Sequence, residues 1–154
     1  MESEPIPPSI NLLESMRSVG YSLEAALADI IDNSITADAS SVTIDVDVVR
    51  GEYVAILDDG KGMDPKTARE ALRLAGEADE RQSNDLGRFG LGLKTASLSQ
   101  GRCLSVVTKQ GGVVTGLRWD IDYVLEVGEW LLLVLDDVEL ERLPLWNNLQ
   151  ALPS

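Results

Sequence analysis

The chain has 154 residues, a formal net charge of −13, a single cysteine and no histidine. One domain's worth of length buries a proper core, while the missing histidine excludes imidazole acid–base catalysis and imidazole metal sites within the chain. Cys103 stands alone, which excludes an intrachain disulfide or thiolate cluster and suits a reducing compartment, and the acidic balance repels nucleic acid at long range, so contact with DNA or RNA is expected only through regions outside this chain.

Met1 to Pro8 is acidic and proline-bearing, reads as a flexible arm and is unlike a signal peptide. Ser9 caps a short helix to about Ser18, and Ser22 caps a longer one over Leu23 to Thr36. The apolar face of the longer helix is Leu23, Leu27, Ile30 or Ile31, and Ser34; Asp29, Asp32 and Asn33 lie on the other. Val42 to Val49 alternates as a half-buried strand does, and Tyr53 to Leu57 is its hairpin partner across Arg50-Gly51. Pro65 opens a helix to about Ala75, since a first-turn proline is tolerated. Gly76 to Leu86 is polar and irregular, and a glycine-rich loop then leads into a helix ending near Ser99. Cys103 to Lys109, Gly112 to Trp119 and Trp130 to Leu135 read as strands, the first two joined at Gly111-Gly112. Asp120 to Val127 and Pro144 to Leu152 read as short helices. The longest apolar run, Trp130 to Leu135, is far too short for a membrane span. The order of elements implies an α/β (α+β) sandwich with one mostly antiparallel sheet.

Three stretches carry chemistry. Asp29 and Asn33 lie four apart on one helix and face the same way. A carboxylate and an amide suit magnesium, a hard cation that takes oxygen ligands and leaves most positions to water and phosphate, and the carboxylate can deprotonate a water. The same spacing also occurs on ordinary solvated helix faces. Asp58-Asp59-Gly60-Lys61-Gly62 leaves a strand, where an acid can accept a hydrogen bond from an amino group such as that of adenine. It is no calcium loop, because the twelfth position from Asp58 is Arg69 and not glutamate; a plain Asp-Gly turn is the other reading. Gly87, Gly90 and Gly92 crowd the loop before the last long helix, where unpaired N–H groups and the helix dipole favour an anion. Leu93 between Gly92 and Lys94 breaks the P-loop pattern, and G-x-x-G-x-G reverses the dinucleotide fingerprint.

In this order the three stretches resemble the boxes of the GHKL ATPase superfamily, the Bergerat-fold nucleotide-binding domain of type II topoisomerases, mismatch-repair ATPases, heat-shock chaperones and sensor histidine kinases. ADIIDNSITADAS is similar to the N-box, LDDGKGMD to the D-x-G-x-G box and GRFGLGLK to the G-x-x-G-x-G box. LRLAG and LRWDID bring the chain nearest the microrchidia-like branch. The resemblance implies one ATP-binding domain over residues 1–154, a two-layer sandwich with a mixed, mostly antiparallel sheet covered on one face by helices, and a lid over residues 76–90. It implies that Asp29 is the catalytic base and that Asn33 holds the magnesium bridging the ATP phosphates. Asp58 would bind the adenine amino group, with Gly60, Gly62 and Met63 shaping the pocket. Gly87, Arg88, Phe89, Gly90, Leu91 and Gly92 would wrap the phosphates, with Lys94 a candidate γ-phosphate contact. ATP binding, hydrolysis, lid closure and ATP-dependent homodimerisation follow from the resemblance, in a cytoplasmic protein (nuclear in a eukaryote) with no membrane partner.

Three departures qualify what the family pattern implies. Asp29 stands where a glutamate is usual, and one methylene less withdraws the carboxylate by about an ångström, a shift that can cost on the order of 100-fold in rate. Thr36 stands where many members carry an aspartate. No Gly-Thr-bearing strand appears between Leu140 and Ser154, so the domain is expected to lack its last strands here. Two alternatives therefore stay open: a switch that holds ATP or ADP without hydrolysing it, and a histidine-kinase-like phosphotransfer domain.

Overall fold

The computed structural model describes residues 9–18, 20–73 and 91–153, apart from the side chains of Met16 and Leu91. The expected arm over residues 1–8, the expected lid over 76–90 and the glycine-loop residues 87–90 lie outside the described residues.

The first half of the chain runs through α1 (Leu12–Arg17), α2 (Leu23–Thr36), β1 (Val42–Val46), β2 (Val54–Asp58) and α3 (Pro65–Leu72). The second half contains α4 (Leu91–Gln100), β3 (Cys103–Gln110), β4 (Val113–Asp120), α5 (Ile121–Val127), β5 (Leu133–Val134), α6 (Asp137–Glu141) and α7 (Trp146–Ala151). The fold is α+β, and every strand pairing among the described residues is antiparallel. The ladders form two hydrogen-bonded sets, β1–β2 and β3–β4–β5, where the order of elements predicts a single sheet. Side chains make the join: the Met63 N–H donates to Thr108 Oγ1 on β3 at 2.7 Å.

Local chemistry sets the boundaries. Ser22 Oγ accepts from the Ala25 N–H, the N-cap read from the sequence. Asp64 caps α3 by accepting from the Lys66 and Thr67 N–H groups, with Pro65 in the first turn. β1 stops at Val46, three residues short of expectation, because Asp47 Oδ1 accepts from the Val49 and Arg50 N–H groups and turns the chain early. That leaves Val48 and Val49 at the hairpin tip, 85% and 87% exposed. β5 is shorter still. Leu133 and Val134 form its ladder with β4, extended by the Leu135 N–H to the Gly116 carbonyl, while Trp130 turns its ring edge-on to Trp119 at 6.2 Å. Leu23, expected on the buried face of α2, is 44% exposed; the buried α2 residues are Ala26 and Ser34.

The main core gathers Leu13 of α1, Leu72 of α3, Leu98 of α4, Leu117 and Trp119 of β4, and Val124 of α5. Trp119 is buried and donates its indole N–H to the Leu72 carbonyl at 2.8 Å, closing the end of α3. Trp119 and Trp130 are thus packing residues. α6, unpredicted from the sequence, covers β4 through the buried Leu140, whose Cδ2 lies 2.6 Å from where a Cβ on Gly116 would stand. No described helix is long and apolar enough to cross a membrane.

Arg102, just before β3, ties three elements at the surface. Its Nη2 lies 2.6 Å from Glu14 Oε1 on α1 and 2.6 Å from Asp122 Oδ1 on α5. The guanidinium hydrogen bond holds both carboxyl groups below their usual range. Both pKa values are lower folded than unfolded, so the unfolded chain takes up protons first as pH falls. The contribution is complete above the ordinary carboxylate values, about 4, and is lost as pH drops through the lower folded ones. A melting series from about pH 6 to about pH 3 should show the midpoint falling at the acid end. Arg102→Met should flatten that fall while lowering the neutral-pH midpoint by no more than a few degrees, because the pairs are exposed.

Candidate functional site

The site is assembled from α2 outward. Asp29 and Asn33 lie one turn apart on α2, both half-buried. Next to Asn33, Ser34 faces inward, 2% exposed, and donates its hydroxyl to Asp58 Oδ2 at 2.9 Å. Asp58 ends β2 and accepts from the Gly60 N–H through Oδ1 at 3.0 Å. Both carboxylate oxygens therefore receive a donor, and each keeps a further lone pair with which to accept from a ligand. Asp59 is used differently. Its Oδ1 accepts from the Ser40 and Ser41 N–H groups at 2.7 and 2.8 Å and fastens the turn to the start of β1. Of the two adjacent acids, Asp58 is the one turned toward α2.

The two glycines are required by close backbone approach. A Cβ on Gly60 would stand 2.8 Å from the Ala37 carbonyl oxygen and 2.9 Å from Asp58 Oδ1. Gly62 has φ +66°, and a Cβ there would overlap the Lys109 carbonyl oxygen on β3. Met63 follows, with its N–H on the buried Thr108 hydroxyl, and Gln110 Nε2 donates to the Lys61 and Gly62 carbonyls. The glycines thus seat the loop between the end of α2 and β3.

α4 brings the end of the third stretch, from Leu91 onward, alongside. It packs along α2, and Gln100 at its C-terminal end donates Nε2–H to the Tyr21 carbonyl, just before α2, at 2.7 Å. The two helices therefore run antiparallel, and the length of α4, at about 1.5 Å per residue, returns its start to the level of Asp29 to Asn33. Gly92 is exposed there, and among the described residues nothing lies within 4 Å of where its Cβ would be. Leu91 is placed by its backbone as the first residue of α4; Gly87, Arg88, Phe89 and Gly90 lie outside the described residues. Lys94 is buried, 3% exposed, and donates Nζ–H to the Arg73 carbonyl at the end of α3.

Asp29 accepts a short hydrogen bond, 2.6 Å, from the Tyr21 hydroxyl at Oδ2. Thr36, in the place of the usual aspartate, spends its hydroxyl on the Asp32 carbonyl one turn back. Lys61, Lys66, Arg69 and Arg73 form a solvated edge, with Arg73 paired to Glu70 at 3.0 Å. A depression of about 450 Å³ opens beside the loop, lined by Asp59, Lys61, Lys109 and neighbours but by none of Asp29, Asn33 or Asp58.

The family described as "Histidine kinase-, DNA gyrase B-, and HSP90-like ATPase" matches residues 21–151. The chain belongs to this ATPase family. Within this GHKL superfamily its relatives lie in the microrchidia-like branch. It is 34% identical to "ATPase morc-1" of Caenorhabditis elegans over 110 residues, 71% of this chain and 13% of that protein. It is 32% identical to "ATPase MORC2" of Homo sapiens over 130 residues, 81% of this chain and 12% of that protein. "Protein MICRORCHIDIA 7" of Arabidopsis thaliana is 30% identical over 93 residues, 56% of this chain and 13% of that protein. The chain thus spans about an eighth of the length of these relatives.

The donor set suits what a GHKL module handles. Asn33 offers an amide oxygen, and among the described residues no group of three acidic, histidine or cysteine side chains could hold a metal. A magnesium ion held by one protein oxygen together with phosphates and water fits that set. Sequence reasoning missed Tyr21, Ser34 and Thr108. For Ser34 a signal existed: a lone hydroxyl on an apolar helix stripe must find a partner once buried. Ser34→Ala removes a hydrogen bond to a charged group and should cost about 1–3 kcal/mol in urea unfolding, with an unchanged denaturant slope. In a double-mutant cycle with Asp58→Ala the two losses should be non-additive.

Proposed function

We propose that the chain binds ATP as its magnesium complex and hydrolyses it, with Asp58 on the adenine amino group, Asn33 on the magnesium, the start of α4 on the phosphates and Asp29 as general base. The observation that supports this most is the Ser34–Asp58 hydrogen bond, since it ties the helix bearing Asp29 and Asn33 to the acid of the second box. The packing of α4 along α2 supports it further, through the part of the third box from Leu91 onward. Bound at Asn33, magnesium would supply charge neutralisation along the phosphates. Asp29 takes the proton of a water as that water's oxygen bonds to the γ-phosphorus. The bond from that phosphorus to the bridging oxygen breaks, and ADP and inorganic phosphate leave. With nucleotide in place, residues 76–90 close over it and two copies associate.

The shorter reach of Asp29 favours one rival, a module that holds nucleotide without turnover, and three substitutions separate the readings. Asp29→Asn should leave the ATP dissociation constant within about twofold and lower kcat by about 100-fold or more. Asp58→Asn should weaken ATP binding by about tenfold or more, because both carboxylate oxygens already accept protein N–H or O–H and an amide nitrogen would face one of those donors. Gly92→Ala should keep or slightly raise the melting midpoint, as alanine favours a helix by about 0.5–1 kcal/mol, yet weaken ATP binding through a methyl in the path of a phosphate. Isothermal titration and phosphate release read all three. Wild-type binding with no phosphate release above Asp29→Asn supports the non-hydrolysing module. No ATP binding at all removes both. Sedimentation of the wild type should shift toward a dimer with a non-hydrolysable ATP analogue and stay monomeric with ADP.

A further inference from the structure

We infer that Tyr21 is a positioning residue for the catalytic carboxylate: its hydroxyl holds Asp29 Oδ2 at 2.6 Å and leaves Oδ1 to take the proton of the attacking water. The inference rests on the proposed ATPase reading and adds a residue that none of the three family boxes contains.

The geometry is unusual for a contact within one stretch of chain. Tyr21 precedes the N-cap Ser22, eight residues before Asp29. Eight residues of helix rise about 12 Å, so the tyrosine side chain must lie along α2 to reach the carboxylate. Its backbone is pinned for this, because the Tyr21 carbonyl accepts from Gln100 Nε2 at the far end of α4. Ser22 caps the helix immediately afterwards. The ring thus leaves from a fixed point between two helix ends and is itself half-buried.

An aspartate general base needs such a partner more than a glutamate does. Its carboxylate is tied closely to the helix and turns about two bonds, and each turn swaps which oxygen faces the reaction. The tyrosine approaches from two turns on the N-terminal side, while Asn33 lies one turn on the C-terminal side. Among the described residues the Tyr21 hydroxyl is the hydrogen-bond donor to Asp29, and Oδ1 receives none. Holding Oδ2 on the tyrosine therefore restricts the carboxylate and leaves Oδ1 for another partner. The bond also raises the Tyr21 phenol pKa above its ordinary value, so the hydroxyl stays a donor across the neutral range.

The test is Tyr21→Phe, which keeps the ring and removes the donor, in the wild-type and Asp29→Asn backgrounds. In the wild type, kcat for ATP hydrolysis should fall about tenfold, with KM, the ATP dissociation constant and the melting midpoint nearly unchanged. In Asp29→Asn the same change should cost nothing further. Tyr21→Phe in an Asp29→Glu background should lose less than in the wild type, since the longer carboxylate reaches by another path. An undiminished kcat in Tyr21→Phe overturns the assignment while leaving the ATPase reading intact. So does an equal proportional loss in both backgrounds, or a loss that follows a lowered melting midpoint. A wild type that releases no phosphate overturns both, and a tyrosine absorbance titration unaltered by Asp29→Asn overturns the contact itself.

Discussion

The close seating of residues 58–63 against two neighbouring backbones is the constraint on which the site depends. Gly60 lies against the Ala37 carbonyl at the end of α2, and Gly62 against the Lys109 carbonyl on β3. Neither approach admits a Cβ, and the positive φ of Gly62 adds a backbone cost for any other residue, about 1–2 kcal/mol. The Lys61 N–H to Ala37, the Met63 N–H to Thr108 and the two bonds from Gln110 fasten the same loop from both sides. It is a loop by conformation with the fixity of a strand, and Asp58 inherits that fixity. The same fastening joins the two hydrogen-bonded strand sets, so one short segment both unites the sheet layer and aims the acid.

α2 is the element through which the parts communicate. Its inward side carries Ser34 to Asp58, and a neighbouring side carries Asp29 and Asn33. Its entrance carries Tyr21 and the bond to Gln100. Groups on one rigid helix keep their spacing far better than groups on separate loops. Lys94 belongs to a second closure. Its ammonium and the Trp119 indole take successive carbonyls, of Arg73 and Leu72, where α3 ends. Those carbonyls are the negative end of a helix dipole, where a cation is favoured. The lysine that the family resemblance would send to the γ-phosphate is thus held by α3 in this structure. Any phosphate contact by Lys94 must compete with that cap.

Much of this is visible in the sequence because backbone chemistry announces itself. Ser22 and Pro65 mark helix starts wherever they occur in such patterns, and the Gly111-Gly112 hairpin needs no tertiary information. The second box is visible for a similar reason: the spacing of Gly60 and Gly62 reflects close backbone approach, which leaves no room for a Cβ. What escapes depends on long-range partners. α6 is five residues long and amphipathic only in relation to Gly116 of β4. β1 ends early because Asp47 bonds its own following amides, a local choice that strand alternation hides. Tyr21 looks ordinary in the chain, and Ser34 shows only that it needs a partner; the partners themselves lie 8 and 24 residues away. Helical spacing alone puts Leu23 in the core, yet the first turn of α2 leaves it 44% exposed.

Electrostatics sharpens what a phosphate ligand would require here. The chain carries 26 acidic and 13 basic side chains, so a polyanion approaches against the long-range field. Several of the described basic groups near the boxes are already engaged. Lys94 is bonded to a carbonyl, Arg73 is paired with Glu70, and Lys109 donates to the Gln150 and Leu152 carbonyls. What the described site offers is local: the N–H groups at the start of α4, where a helix dipole is equivalent to about half a positive charge, and the amide of Asn33. Neither balances a nucleoside triphosphate. A divalent cation carried in with the phosphates would reduce the charge that the proposed site has to meet.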